Sequence, residues 1–380
     1  MYRMKQEISL YFHIPFCKRK CGYCHFYSFY GNKQTKKKFL KNLQIEWEQK
    51  KQEIEGKKIV SLYFGGGTPS SLSPNDLENI LSWINNIPSS CEITLEVNPE
   101  DVSQNVVQQW KKIGINRISL GVQSFDPVLL KILGRKHSAL LAKKAIETLS
   151  ENNVFENISI DLMYDLPKQT LKSWKETLLY IKNLSICHVS LYNLTIEPNT
   201  LFHKKQKEFF PFLPKEKLSL SFLQEALSFF EEIGFERYEI SAFAKNKKYF
   251  SKHNLGYWTR RQFLGFGPSA FSYWQKKRFS NVPNFSHYCK ALQEGKSPKN
   301  FEEKLSFPAN VKELLVIHLR LIDGVDLKIL QEKEGKLPTS TMKSLKELEK
   351  KHFLVFEEKN HCRLTKKGLL FYDTIAQELI

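Results

Sequence analysis

Three cysteines fall within eight residues, Cys17-Lys-Arg-Lys-Cys21-Gly-Tyr-Cys24. They follow an apolar run, Ile8 to Phe16, that reads as a strand. A C-x3-C-x2-C loop offers three thiolates, one for each of three irons in a four-iron, four-sulfur cluster. Electron-transfer clusters of that kind are held by four cysteines, so a three-cysteine loop leaves one iron open to a small molecule. Structural zinc is the competing chemistry. It requires four ligands, usually as two close pairs, and no second pair accompanies Cys17, Cys21, Cys24 and the adjacent His25. The iron–sulfur reading is the better one.

Other chemistry-bearing residues sit where short β-rich runs end. Gly65-Gly66-Gly67-Thr68-Pro69 follows the run Ile59–Phe64. Its glycines let backbone groups approach a ligand closely, but the G-K-[S/T] of a phosphate loop is absent. Glu96-Val-Asn98-Pro99 closes Glu92–Val97, Gly121-Val-Gln123-Ser124 closes Arg117–Val122, Asn157–Met163 carries Asp161, and His188–Thr195 carries Tyr192-Asn193.

Helical patterns separate these strands: Thr35–Glu55, Pro74–Ile87, Ser103–Ile113, Ala139–Glu151 and Lys172–Leu184, with Lys215–Ile233 after the last. Six βα units predict right-handed crossovers and a parallel sheet. Polar groups at the carboxyl ends of all six strands converge on one mouth, the pattern of a βα-barrel enzyme. Six units rather than eight predict an α/β fold with an incomplete, laterally open (βα)6 barrel.

The alternation stops near Phe235. Phe235–Phe243 reads as a further strand. Tyr249 to Phe285 is aromatic and basic, holding His253-Asn254-Leu-Gly-Tyr257-Trp258 and Gly265-Phe-Gly267-Pro268. Beyond Pro298, Asn310–Arg320, Asp326–Glu334 and Ser340–Lys351 read as helices, Phe353–Glu357 with His361–Leu364 as a hairpin, and Gly368–Leu379 as a last helix. This is a small helical, winged-helix-like C-terminal domain. The expected divisions are 1–235, 236–298 and 299–380.

Composition narrows the class. Apolar residues make up 41% and aromatics 13%, enough for a sizeable core. No apolar run has the length of a membrane span, and no secretory h-region opens the chain. The seven cysteines are an odd number, and Cys91, Cys187, Cys289 and Cys362 are scattered, as in a reducing cytoplasm rather than a disulfide framework. The formal charge is +18, from 58 basic and 40 acidic residues. Such a field suits anionic partners, yet the excess is mostly lysine spread over helices, and no aromatic–basic stripe for RNA is evident.

The cysteine loop, with Tyr23 before its third thiol, resembles that of the radical S-adenosylmethionine (radical SAM) superfamily. Tyr11-Phe-His13-Ile-Pro15-Phe16, Gly65–Pro69, Gly121-Val-Gln123-Ser124-Phe125, Leu133-Gly-Arg135, Asp161-Leu-Met-Tyr-Asp165-Leu166-Pro167 and His253-Asn254-x2-Tyr257-Trp258 are similar to motifs of one branch. That branch holds oxygen-independent coproporphyrinogen III oxidase and the haem chaperone HemW. The resemblance runs from about Tyr11 to the C-terminus. It implies a partial barrel of the radical SAM type and a four-iron cluster held by Cys17, Cys21 and Cys24. It implies S-adenosylmethionine bound through its amino and carboxylate groups and cleaved by one electron to a 5′-deoxyadenosyl radical. Tyr11, Tyr23, Gly66, Gly67, Thr68, Glu96, Gln123, Arg135 and Asp161 would contact S-adenosylmethionine. Their chemistry agrees, since Glu96 and Asp161 suit an ammonium or ribose hydroxyls and Arg135 a carboxylate.

Two departures stand out. The oxidase branch carries a further cysteine two residues after the third, where this chain has Phe26. His25 replaces the usual aspartate, and Asp165 stands where glycine is usual. Phe26 tilts the reading toward haem binding and transfer to apo-haemoproteins and away from porphyrinogen decarboxylation, with a tRNA-directed radical enzyme as a third alternative. The resemblance further implies haem as cargo, near His253, Tyr257 and Trp258. It also implies a flavodoxin- or ferredoxin-like electron donor, and a cytoplasmic monomer or dimer acting near the membrane surface. Two readings of His253 stay open: a haem-iron ligand, or a packing residue hydrogen-bonded in place.

Overall fold

The computed structural model describes residues 6–357 and 360–380. Six strands, β1 (Glu7–Ile14), β2 (Lys58–Gly66), β3 (Glu92–Val97), β4 (Arg117–Gln123), β5 (Asn157–Tyr164) and β6 (His188–Asn193), pair in sequence order, all parallel. Each alternates with period two, which sends successive side chains to opposite faces. In β1, Ile8, Leu10, Phe12 and Ile14 are fully buried in the main hydrophobic core, while Ser9, Tyr11 and His13 make polar contacts on the other face. β4 and β5 repeat this with Ile118, Leu120, Ile158, Ile160 and Leu162 in the core, against Ser119 and Asp161 joined across the polar face. The fold is the expected partial (βα)6 barrel, with apolar residues under the helices and a polar lumen.

The chain after residue 235 adds more to this sheet than its sequence indicates. β7 (Glu236–Glu239) and β8 (Ala242–Ala244) form a tight hairpin antiparallel to β6. On the other edge β9 (Gln262–Phe266) is a seventh parallel strand beside β1, followed by antiparallel β10 (Phe271–Trp274), β11 (Lys277–Asn281) and β12 (Lys299–Glu303). Its short, glycine-punctuated strands do not show as βα units. The chain leaves the sheet only after Glu303, past the expected boundary at 299.

The helix Lys252–Trp258 closes the floor of the barrel, where the parallel strands begin. Glu92, at the start of β3, accepts from the backbone N–H groups of Lys252 and His253, both at 3.0 Å. A carboxylate at a helix N-terminus satisfies otherwise orphaned donors. Residues 309–380 form a second apolar core, running from Val311 to Leu379, around helices Ala309–His318, Leu327–Glu334 and Thr339–Lys350. A small sheet of β13 (Val325–Asp326), β14 (Leu354–Phe356) and β15 (His361–Leu364) completes the winged-helix-like arrangement. Backbone bonds Ile240 N–H to Arg320 O and Ile322 N–H to Tyr238 O, each 3.1 Å, fasten it to β7. No helix among the described residues is long and apolar enough to cross a membrane.

Candidate functional site

The carboxyl ends of β1–β6 surround one cavity of about 490 Å³. The loop after β1 is closed by Cys17 N–H to Phe29 O at 3.0 Å and Phe29 N–H to Pro15 O at 2.8 Å. The glycine loop after β2 is joined to it by Gly67 N–H to Ile14 O at 2.9 Å and Thr68 N–H to Phe16 O at 2.7 Å. A Cβ on Gly67 would lie 2.8 Å from the Phe16 carbonyl oxygen, and Gly66 has φ +111° beside the His13 ring. Glycine is required at both positions for the two loops to meet. From the far side Gly22 N–H donates to Leu133 O at 3.3 Å and Phe202 N–H to Gly22 O at 3.0 Å.

Cys17, Cys21 and Cys24 line this cavity as free thiols, with Tyr23, Gly66, Gly67, Thr68, Glu96, Gln123, Arg135 and Asp161 around it. Burial pushes the Cys24 thiol up to about 11. A continuous polar arc joins two of the cysteines. Arg135 Nη1 lies 3.6 Å from Cys21 Sγ, Arg135 Nη2 donates to Asn98 Oδ1 at 2.7 Å, Asn98 Nδ2 donates to Thr68 Oγ1 at 3.1 Å, and Thr68 Oγ1 lies 3.5 Å from Cys17 Sγ. Because Thr68 accepts from Asn98, its own proton is free to point at Cys17 sulfur. Asn98 was visible as a strand-end polar residue, but only contacts across three strands reveal that it links two loops.

Glu96 accepts from Tyr63 OH at 2.8 Å and from Gly66 N–H at 3.1 Å, so it also holds the glycine loop. Burial pushes its carboxyl up to about 7, and Asp161, also desolvated, up to about 6. Two carboxylates facing one cavity at this strain favour a cationic ligand group. Gln123, at φ +69° beside an irregularity in the β4–β5 register, turns its strand end into the same space. Asp165 has φ +63°, a left-handed position that accounts for the glycine usual there, and it accepts from Ser219 Oγ at 2.8 Å.

Four expected ligand contacts lie elsewhere. Tyr11 is one layer below the cavity, its hydroxyl 3.1 Å from His13 Nδ1 and its ring stacked on Tyr63. His253, Tyr257 and Trp258 belong to the floor helix at the opposite end of the barrel. One layer of side chains separates the floor from the cavity: the Tyr63 ring lies 4.8 Å from the His253 ring while its hydroxyl donates to Glu96 at 2.8 Å. His253 is 1% exposed and has both ring nitrogens engaged, Nδ1 2.9 Å from Ser61 Oγ and Nε2 2.8 Å from Tyr257 OH. Ser61 donates its proton to Ser9, so Nδ1–H donates to Ser61 and Nε2 accepts from Tyr257. As placed, His253 has no free lone pair for iron. Trp258 instead lies under the Arg320 guanidinium at 4.2 Å, where the two cores meet.

An open parallel barrel whose mouth unites a three-cysteine loop with a glycine cradle defines the radical SAM class. The sequence model of the Radical SAM superfamily matches residues 11–181. The chain is 34% identical to the "Heme chaperone HemW" of Bacillus subtilis over 95% of its length and 96% of that protein's. It is 32% identical to the Lactococcus lactis protein of the same name, covering 99% and 98%. It is 30% identical to "Radical S-adenosyl methionine domain-containing protein 1, mitochondrial" of Danio rerio, covering 98% and 87%. The chain belongs to the HemW family of radical SAM proteins. Its fold is that of the Escherichia coli radical SAM enzyme coproporphyrinogen III oxidase (HemN), with a TM-score of 0.87 at 22% identity, covering 99% of this chain and 90% of that one. The radical SAM domain implies a four-iron, four-sulfur cluster and S-adenosylmethionine. The free thiols, the cradle that a Cβ would fill and the two desolvated carboxyls fit both groups.

Proposed function

We propose that this protein is a haem chaperone, binding haem and passing it to apo-haemoproteins, with a cluster and S-adenosylmethionine held at the barrel mouth. The observation that carries this is a single side chain in a HemW-family sequence. Phe26, on the cavity wall and 54% exposed, stands where the oxidase branch has a further cysteine. Cys17, Cys21 and Cys24 would hold the cluster, and Arg135 and Thr68 would donate toward its cysteine sulfurs. Glu96 and Asp161 would take the ammonium and ribose hydroxyls of S-adenosylmethionine, with Gly66, Gly67, Gln123 and Tyr23 shaping the cradle. When bound, these groups supply one-electron chemistry. Tyr11 supports the site from below rather than touching the ligand. Handover near a membrane and reduction by a flavodoxin- or ferredoxin-like donor belong to the same reading; the many exposed lysines are compatible with both.

Hemin titration of the anaerobically reconstituted protein tests it. A saturable Soret band, and loss of that band to an added apo-haemoprotein, are expected. Formation of protoporphyrinogen from coproporphyrinogen III, with reductant and S-adenosylmethionine present, would reverse the assignment.

A further inference from the structure

Arg117, at the start of β4, is 1% exposed and forms no ion pair among the described residues. Its Nε has no hydrogen-bond partner. Its one bond to a described side chain runs from Nη2 to His188 Nδ1, at 3.4 Å. Burying a guanidinium in that state is costly unless charge elsewhere compensates it. Packing alone gives no reason to place an arginine there.

The strand register locates the charge. Arg117 is level with Thr94 of β3 and Asn157 of β5, and Glu96, Ser119, Ser159 and His188 form the next level toward the mouth. Asp161 stands one level higher again, and its Oδ1 reaches back to Ser119 Oγ at 3.3 Å. The bond to His188 raises the guanidinium from its own level to the next. A level is two residues, about 7 Å of strand, so the charge sits in the lumen about that far beneath Asp161.

His188 holds it there. An arginine only donates, so Nδ1 accepts, from Arg117 and from Ser159 Oγ at 2.7 Å. Nε2–H then donates to Tyr238 OH at 2.8 Å, and that oxygen also accepts Ser251 N–H, at the N-cap of the floor helix, at 3.2 Å. Burial, and then the charge of Arg117, hold His188 well below its ordinary value and so neutral. The guanidinium is thus fixed from the floor by a chain that neutralises none of its charge. One level below it, Glu92 is occupied by the floor helix. Asp161 is faced by Glu96 from β3, Tyr63 from β2, Tyr192 from β6, Tyr23 from the cysteine loop, and Arg135. Arg135 is tied to Asn98 and to Gly121 O, and of the two cations Arg117 has the larger effect on Asp161.

We propose that Arg117 is a positioning residue of the S-adenosylmethionine site: its buried charge keeps Asp161 ionised, so that a carboxylate rather than an acid meets the ribose hydroxyls or ammonium group. The inference rests on the ligand reading of Asp161 and adds what makes that carboxyl an anion near neutral pH. Across about 7 Å of protein interior such a charge changes proton affinity roughly tenfold to hundredfold, or about one to two pH units.

The test is an isotope-edited infrared titration of the carboxyl groups of the full-length protein, with calorimetry of S-adenosylmethionine binding to the reconstituted protein between about pH 5.5 and 8.5. The band missing from Asp161→Asn identifies Asp161, with a wild-type midpoint of about 6. In Arg117→Met that midpoint should rise by about one to two pH units, and the pH at which ligand affinity falls should rise with it. Arg117→Lys should restore most of both. Arg117→Gln keeps a donor for His188 without the charge, and gives the same reading if the methionine variant folds poorly. A merely structural arginine would lower affinity equally at every pH. An Asp161 midpoint unmoved in both neutral variants would overturn this inference and leave the ligand reading intact. Wild-type affinity in Asp161→Asn would overturn the ligand reading itself.

Discussion

His253→Ala separates a haem ligand from a floor residue. The substitution keeps the two backbone bonds to Glu92 and removes only the ring. Tyr257 OH then loses its acceptor and Ser61 loses one donor but keeps Ser9. Leaving such groups unpaired costs about 1–3 kcal/mol. The ring also packs against Tyr63, with centroids 4.8 Å apart. Large-to-small changes in cores cost about 2–5 kcal/mol, and a polar lining that admits water brings this toward the low end. The expected loss is therefore about 2–4 kcal/mol, measured by urea unfolding at pH 7.5. The pH dependence follows with a definite sign. Burial holds His253 at about 3 against an ordinary 6.5. Below pH 6.5 the unfolded chain takes up a proton that the folded chain refuses, so the wild type loses stability as pH falls. The variant lacks that loss, and its deficit should shrink by about 1.4 kcal/mol per unit between pH 6 and 4. A deficit below about 1 kcal/mol at pH 7.5, or one independent of pH, would refute the floor assignment.

Three further outcomes are expected. Glu96→Gln removes a carboxyl raised from 4.5 to about 7, whose penalty is absent below pH 4.5 and grows as pH rises to 7. Relative to wild type, urea unfolding of that variant should therefore show a gain of about 1–2 kcal/mol between pH 5 and 8, after allowance for a cavity open to water, together with weaker S-adenosylmethionine binding by calorimetry. Asn98→Asp presents Thr68 with an acceptor in place of a donor and draws its proton from Cys17 sulfur, so the midpoint potential of the reconstituted cluster should fall in a redox titration. Arg320→Ala strands Glu239, which is 3% exposed, and uncovers Trp258, so limited proteolysis should release the C-terminal core earlier and urea unfolding should show a loss of about 2–4 kcal/mol.

The barrel was legible because its strands alternate so cleanly and end in chemistry. Glu92–Val97 was placed to the residue, and the other five strands to within two residues at either end. Local spacing also carried the three cysteines and the glycine cradle. What escaped the sequence was long-range. β9 reaches β1 across some 250 residues, joined only by short strands whose pairing no local period encodes. Asn98 reads as a turn residue until the chain folds, because both of its partners come from other loops. The His253 segment misled in the opposite way. Its histidine and aromatics have the composition of a cofactor cage, yet their polar atoms face one another across a barrel floor, and composition cannot distinguish the two.

Those placements bear on how the barrel mouth is set apart from the C-terminal core. The polar lumen between mouth and floor is filled, by Tyr11, Tyr63 and the His253–Ser61–Ser9 chain, rather than open as a channel. The small C-terminal core is fastened to the barrel by Arg320 on Glu239 and over Trp258, by Arg260 and Arg278 on Glu313, and by the two backbone bonds at β7. Arg320→Ala is informative beyond stability: the loosening it causes should stay in the C-terminal core while the absorption of the reconstituted cluster stays unchanged.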